Sequence, residues 1–139
     1  MNAAETAREL VRRWQTSDPF ELCDCLGIRV LLVELSEQVR GFYLILHGHP
    51  LIYINQDAPA EEQTEICGHE LGHAVLHSGI NSLFLESAGQ FNQGRLEREA
   101  DLFCAELLVP QAEEGESAES LACRSGVTEH LVRLKYGIQ

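Results

Sequence analysis

The sequence has no apolar run long enough to cross a bilayer. Its longest runs, Val30–Val33 and Phe42–Leu46, fall far short of the ~18–20 residues a membrane helix needs. It is also poor in positive charge. Ten Lys and Arg stand against 22 Asp and Glu, a formal net charge of −12. Such a chain repels phosphate backbones, which argues against direct nucleic-acid binding. The first residues, MNAAETARELVRRWQ, contain no apolar core of signal-peptide length and carry Glu5 and Glu9, so no secretion or organelle signal is read there. Cysteine lacks a framework. Cys23, Cys25, Cys67, Cys104 and Cys123 are five, an odd number without disulfide spacing, and reduced thiols in a cytoplasm are expected. What remains is a chain of 139 residues with 45% hydrophobic and 23% charged residues, the profile of one soluble globular domain over residues 1–139.

No internal repeat or low-complexity tract interrupts it. Helical spacing of Ala7, Leu10, Val11 and Trp14 predicts a first helix over 3–15. Asp18-Pro19 reads as an N-cap and first helical residue, opening a short helix that Gly27 stops. Ile28–Leu35, Gly41–Leu46 and Leu51–Asn55 read as strands, the last two joined by a turn at His47-Gly48-His49-Pro50. The expected sheet is thus three-stranded, antiparallel or mixed. A long helix then runs from Pro59 to Ser78, capped by Asp57 or Ala58, with Glu61 and Glu62 in its first turn and Gly79 as its end. Residues 80–93 read as a loop, and 94–109 as another long helix, stopped by Pro110. Short helices over 119–124 and 128–136 complete an α+β chain, its small sheet packed on helices.

The pattern His69-Glu70-Leu71-Gly72-His73 stands on the first long helix. Residues four apart differ by ~40° in azimuth and ~6 Å in rise. Both imidazoles therefore leave one face and can grip one metal ion, with Glu70 beside them to reach a metal-bound water. A shuffle of this composition yields H-E-x-x-H about 3% of the time, so a third ligand is needed to strengthen the reading. Position 79 is Gly, and His77 lies on the same helix, where three successive turns close a tetrahedral site poorly. His77 is read either as a group behind the site or on its substrate side, or as a helix-end residue satisfied by backbone or water. The second long helix places Glu97 and Asp101 one turn apart, on a face that continues through Cys104 and Leu108. A carboxylate in line with a buried stripe must be paired or bound to metal. Glu97 as ligand and Asp101 as acceptor of a histidine N–H meets that need; pairing with Arg95 or Arg98 at the surface is the alternative. Glu99 and Glu106 fall on other, solvated faces.

These two blocks resemble the ImmA/IrrE family of metallopeptidases. His69–His73 is followed by Glu97-x-x-Ala100-Asp101-x-Phe103-Cys104-Ala105-x-Leu107-Leu108-Val109-Pro110, close to the family's second block. Cys104 replaces a usual Ala and Val109 a frequent Met, both small apolar changes. The likeness extends over residues 18–110 and more weakly over the C-terminal segment 117–139. It implies a minimal zincin-like fold of the gluzincin type. It further implies a zinc ion (manganese as the alternative) held by His69, His73 and Glu97, Glu70 as the base, and Asp101 behind the ligands. Known members cut transcriptional repressors of mobile elements or stress responses, so the implied substrate is a helix-turn-helix DNA-binding repressor.

Peptide hydrolysis also needs a donor for the oxyanion of the tetrahedral intermediate. Tyr43, Tyr53, His77, His130 and Tyr136 are the candidates, and the sequence does not choose among them. His47 and His49 read as solvated turn residues. A deformylase would pair H-E-x-x-H with an upstream Cys. Cys25 precedes His69 by 44 residues but lacks that enzyme's Glu-Gly-Cys-Leu context, while Cys67, Cys104 and Cys123 read as small core residues. A competing class is a non-cleaving anti-repressor that keeps the zincin fold as scaffold. It would dock through Leu121, Val127, Leu131, Val132, Leu134 and Tyr136, unless these residues cover the core instead.

Overall fold

A computed structural model describes residues 1–77 and 90–139. Helix α1 spans Ala3–Trp14; the Asn2 side chain accepts the Glu5 N–H, and Gln15 ends the helix in the left-handed region at φ 58°. Helix α2 spans Pro19–Cys25, with the Asp18 side chain accepting from the Phe20 N–H, as Asp-Pro predicts. Three strands follow: β1 (Arg29–Val33), β2 (Gly41–Leu46) and β3 (His49–Asn55). Helix α3 spans Ala60–Leu76, α4 Gln90–Leu108, α5 Ala118–Ser125 and α6 Glu129–Tyr136. Among the described residues, no helix is long and apolar enough to cross a membrane.

The fold is α+β and the sheet is mixed, in the order β1-β3-β2. β1 runs parallel to β3, and β2 antiparallel to it. Several boundaries differ from the sequence reading. β1 is shorter than 28–35. The β2–β3 turn is confined to His47 and Gly48, both at positive φ (50° and 78°), the conformation a two-residue hairpin turn demands. His49 and Pro50 already belong to β3. Pro50 is tolerated in this central strand because pairing with β1 begins only at Leu51. The α3 N-cap is Pro59, without a side-chain bond; the Asp57 N–H instead donates to the Asn55 side chain. Asn55 also donates to the carbonyls of Leu35, Ser36 and Val39, which fixes the β1–β2 connection against the sheet. α4 begins at Gln90, inside the expected loop. The rest of that loop, with Ser78 and Gly79, lies outside the described residues.

One core lies between the sheet and α1–α4, built on Leu22, Ile52, Ile54, Leu71 and Phe103. A second gathers Cys104, Ala105 and Val109 of α4 against Leu121, Leu131 and Val132 of α5 and α6. Half of the proposed C-terminal docking patch is therefore buried, and the segment serves to cover α4. Cys23 and Cys67 are buried with their sulfurs 3.9 Å apart, whereas Cys25 and Cys123 are exposed. Cys123 is thus not a core residue, because it falls on the outer face of α5.

Candidate metal centre

The centre is made by two helices that touch almost backbone to backbone. On α3, Gly68 and Gly72 face α4. A Cβ at position 72 would stand 3.1 Å from the Ala100 Cα and 3.2 Å from its carbonyl oxygen, and one at 68 would stand 2.8 Å from the Cys104 Sγ. The helices run antiparallel, and at this spacing the α4 carboxylates span the gap to the α3 imidazoles. Both ring nitrogens of His69 are engaged: Nδ1 lies 2.7 Å from Asp101 Oδ1 and Nε2 3.0 Å from Glu97 Oε2. His73 Nε2 lies 2.9 Å from Glu97 Oε1, and its Nδ1 3.1 Å from His77 Nδ1. The Glu97 carboxylate thus bridges the two imidazoles, and surface pairing with Arg95 or Arg98 is not what it makes. Arg95 lies 3.4 Å from Glu99 instead.

Charge follows this geometry. Burial resists a charge on His69, but hydrogen bonds to Asp101 and Glu97 and the nearby Glu70 overcome it and raise the pKa to about 10. Burial likewise resists ionisation of Glu97, yet bonds from His69 and His73 hold its carboxyl far below the usual range. Burial, then the neighbouring His73, hold His77 below the ordinary histidine value.

One donor atom each from His69, His73 and Glu97 falls within 4.8 Å of the others. Two imidazoles and a carboxylate are a donor set suited to a tetrahedral divalent cation with one open position. Both Nε2 atoms point into the gap while both Nδ1 atoms are occupied from behind, the arrangement that ligand histidines show. The residues present therefore fit a metal ion.

The group opens on a cleft of about 520 Å³. Glu70, itself buried, lines it beside His69, Glu97 and Asp101. A further wall of the lining is Thr128, His130 and Leu131 from the start of α6. That wall is fastened across 63 residues of chain: Thr128 donates its backbone N–H and its hydroxyl to the two oxygens of Glu65 on α3, at 3.1 and 3.0 Å. No local sequence signal announces that contact.

Of the five candidate oxyanion donors, the structure brings only His130 to the cleft lining. Tyr43, on β2, is buried in the core. Tyr53 stacks on Phe42, centroids 4.9 Å apart, on the sheet's opposite face. The Tyr136 hydroxyl accepts from the Ala112 N–H and donates to the Pro110 carbonyl. His77 ends α3 behind His73. Tyr43, Tyr53 and Tyr136 thus have their rings or hydroxyls buried, stacked or bonded away from the cleft, and His77 lies behind the ligand His73 rather than on the cleft. Glu99 is corrected: it lies 3.5 Å from His77 Nε2. Glu106 pairs with Arg8 at 3.1 Å.

Comparison with known proteins gives the following. A family model described as the IrrE N-terminal-like domain, of peptidase type, matches residues 23–132. Uncharacterized immunity region protein 2 of Bacillus phage phi105 is 34% identical over 134 residues, covering 92% of this chain and 85% of that protein. Metallopeptidase ImmA of Bacillus subtilis (strain 168) is 29% identical over 106 residues, covering 73% of this chain and 60% of that protein. The match thus spans about three fifths of the length of ImmA.

Proposed function

Because the chain belongs to the peptidase family of the IrrE N-terminal-like domain, we propose that it is a zinc-dependent endopeptidase acting on a helix-turn-helix transcriptional repressor. The observation that carries the reading is the convergence of His69, His73 and Glu97 donor atoms within 4.8 Å, at a cleft that Glu70 also lines. Two nitrogens and one carboxylate oxygen favour Zn²⁺, with Mn²⁺ as the alternative. Bound zinc would supply Lewis-acid polarisation of the scissile carbonyl and acidify the attacking water.

The chain's own residues do the rest. Glu70 takes the proton of the attacking water and passes it to the leaving amine, work typically worth ~10²–10⁴-fold. Asp101 accepts the Nδ1 proton of His69 and holds that ring in place. His130 donates to the oxyanion, a contribution of roughly 10²–10³-fold in such sites. A repressor as substrate is what the family resemblance implies, and the names of the two relatives, an immunity region protein and a metallopeptidase, are in keeping with it without naming a substrate.

The test is incubation of the zinc-loaded chain with a helix-turn-helix repressor encoded beside it. Two fragments are expected from wild type, and none from Glu70→Gln, which keeps its metal by elemental analysis. Cleavage by Glu70→Gln at the wild-type rate would overturn the role of Glu70. A stable complex without fragments would replace the peptidase by the non-cleaving anti-repressor.

A further inference from the structure

His77 is almost entirely buried, and its two ring nitrogens face two different helices. Nδ1 lies 3.1 Å from His73 Nδ1, the rings tilted at 49°. Nε2 lies 3.5 Å from Glu99 Oε2 on α4, close enough for ion-pair attraction but not aligned as a hydrogen bond. Glu99 is in turn 3.4 Å from Arg95, one turn earlier on its own helix. A chain of contacts therefore runs from His73 through His77 to Glu99 and Arg95, away from the cleft.

Proton bookkeeping fixes the direction of that chain. An imidazole that gives its Nε2 lone pair to a cation carries its proton on Nδ1. A buried N–H without an acceptor is destabilising, because it has given up its bond to water. At His73 that N–H points at His77 Nδ1, which can accept only with its lone pair free. The proton of His77 then sits on Nε2, facing the Glu99 carboxylate. His69 solves the same problem differently, by donating from Nδ1 to Asp101.

We propose that His77 is a positioning residue of the metal centre: it accepts the Nδ1 proton of His73, fixes that ligand's tautomer and ring plane, and is itself oriented by Glu99. The inference rests on the reading of His69, His73 and Glu97 as metal ligands. The two ligand histidines are then backed unequally, one by a carboxylate and one by a neutral ring. Loss of such a backing group typically weakens metal binding 10–100-fold.

The experiment compares His77→Asn with His77→Leu in the full chain. The two side chains are close in size, but only Asn offers an oxygen near the place of Nδ1. Zinc affinity is read by competition with a chromophoric chelator, and Co²⁺ is substituted to read the ligand-field spectrum. Thermal melts of the metal-free proteins report folding separately. Expected are a loss of roughly 10–100-fold in zinc affinity for His77→Leu, with a shifted Co²⁺ spectrum, and recovery of most of the affinity in His77→Asn. Glu99→Gln should show a smaller loss in the same sense. Equal zinc affinities for wild type, Asn and Leu variants would overturn the proposal, and so would Asn and Leu variants equally weakened. A wild-type chain that takes up no zinc, or that keeps its affinity in Glu97→Gln, would overturn the ligand reading itself and this inference with it.

Discussion

At the residue scale, the candidate ligand histidines and the histidine of the α6 lining differ in how they are held. His69 and His73 are locked from behind by Asp101 and His77, whereas His130 is exposed and reaches the cleft from the first turn of α6. An exposed imidazole there is free to meet a substrate oxygen. If it stabilises the oxyanion, His130→Phe lowers kcat by roughly 10²–10³-fold and leaves KM and zinc content nearly unchanged, because the bond exists only in the transition state. Steady-state kinetics on a peptide spanning the cleaved bond checks this; an unchanged kcat, or a loss confined to KM, removes His130 from the role. The motif residues were legible because their spacing is local: i and i+4 on one helix, then one turn on another. Which donor candidate faces the cleft was not, since five residues scattered from 43 to 136 qualified chemically and only tertiary structure brings His130 to the lining. Glu99 escaped for a related reason. Its helical phase sets it off the Glu97–Asp101 stripe, and nothing local reveals that the end of α3 lies against it.

At the scale of elements, the centre depends on how closely α3 and α4 approach. The two long helices were readable from periodicity, and the pairing of Glu97 with the first motif from its alignment with an apolar stripe. Why those helices may touch was hidden in two glycines of α3. Gly in a helix interior costs about 1 kcal/mol relative to Ala, and here that cost is offset by proximity to Ala100 and Cys104. Gly68→Ala would gain helix propensity yet press a methyl against the Cys104 sulfur at 2.8 Å, and overpacking of this kind typically costs about 1–3 kcal/mol. Cys104→Ala removes that sulfur, losing its packing and the weak thiol bond to the Glu65 carbonyl at 3.4 Å. The double variant should therefore be more stable than the sum of the single effects predicts, with a coupling of about 1 kcal/mol or more. Denaturant unfolding of the metal-free proteins measures it; strict additivity would mean that the helices separate without penalty. The boundaries that differed from expectation have similar causes. β3 gains His49 and Pro50 because a hairpin turn needs only His47 and Gly48, and sequence alone does not say how many residues a turn uses.

At the scale of the molecule, the net charge of −12 and the cleft carboxylates Glu65, Glu70, Glu97 and Asp101 have the same sign. Arg40 is the only arginine or lysine lining that cleft among the described residues. Such a surface disfavours DNA and favours basic polypeptides, which is the charge a DNA-binding repressor carries where it meets phosphates. Attraction of this kind acts on encounter rather than on the chemical step. Raising salt from about 50 to about 300 mM shortens the Debye length by more than half, so kcat/KM for a repressor should fall about tenfold or more while kcat and bound zinc hold steady. Operator duplex added to the reaction should protect the repressor by covering its basic face, without itself binding the peptidase. A salt-independent kcat/KM, measured on a repressor that still folds at both salt concentrations, would show that shape alone recruits the substrate and that the acidity of the chain serves something other than substrate capture.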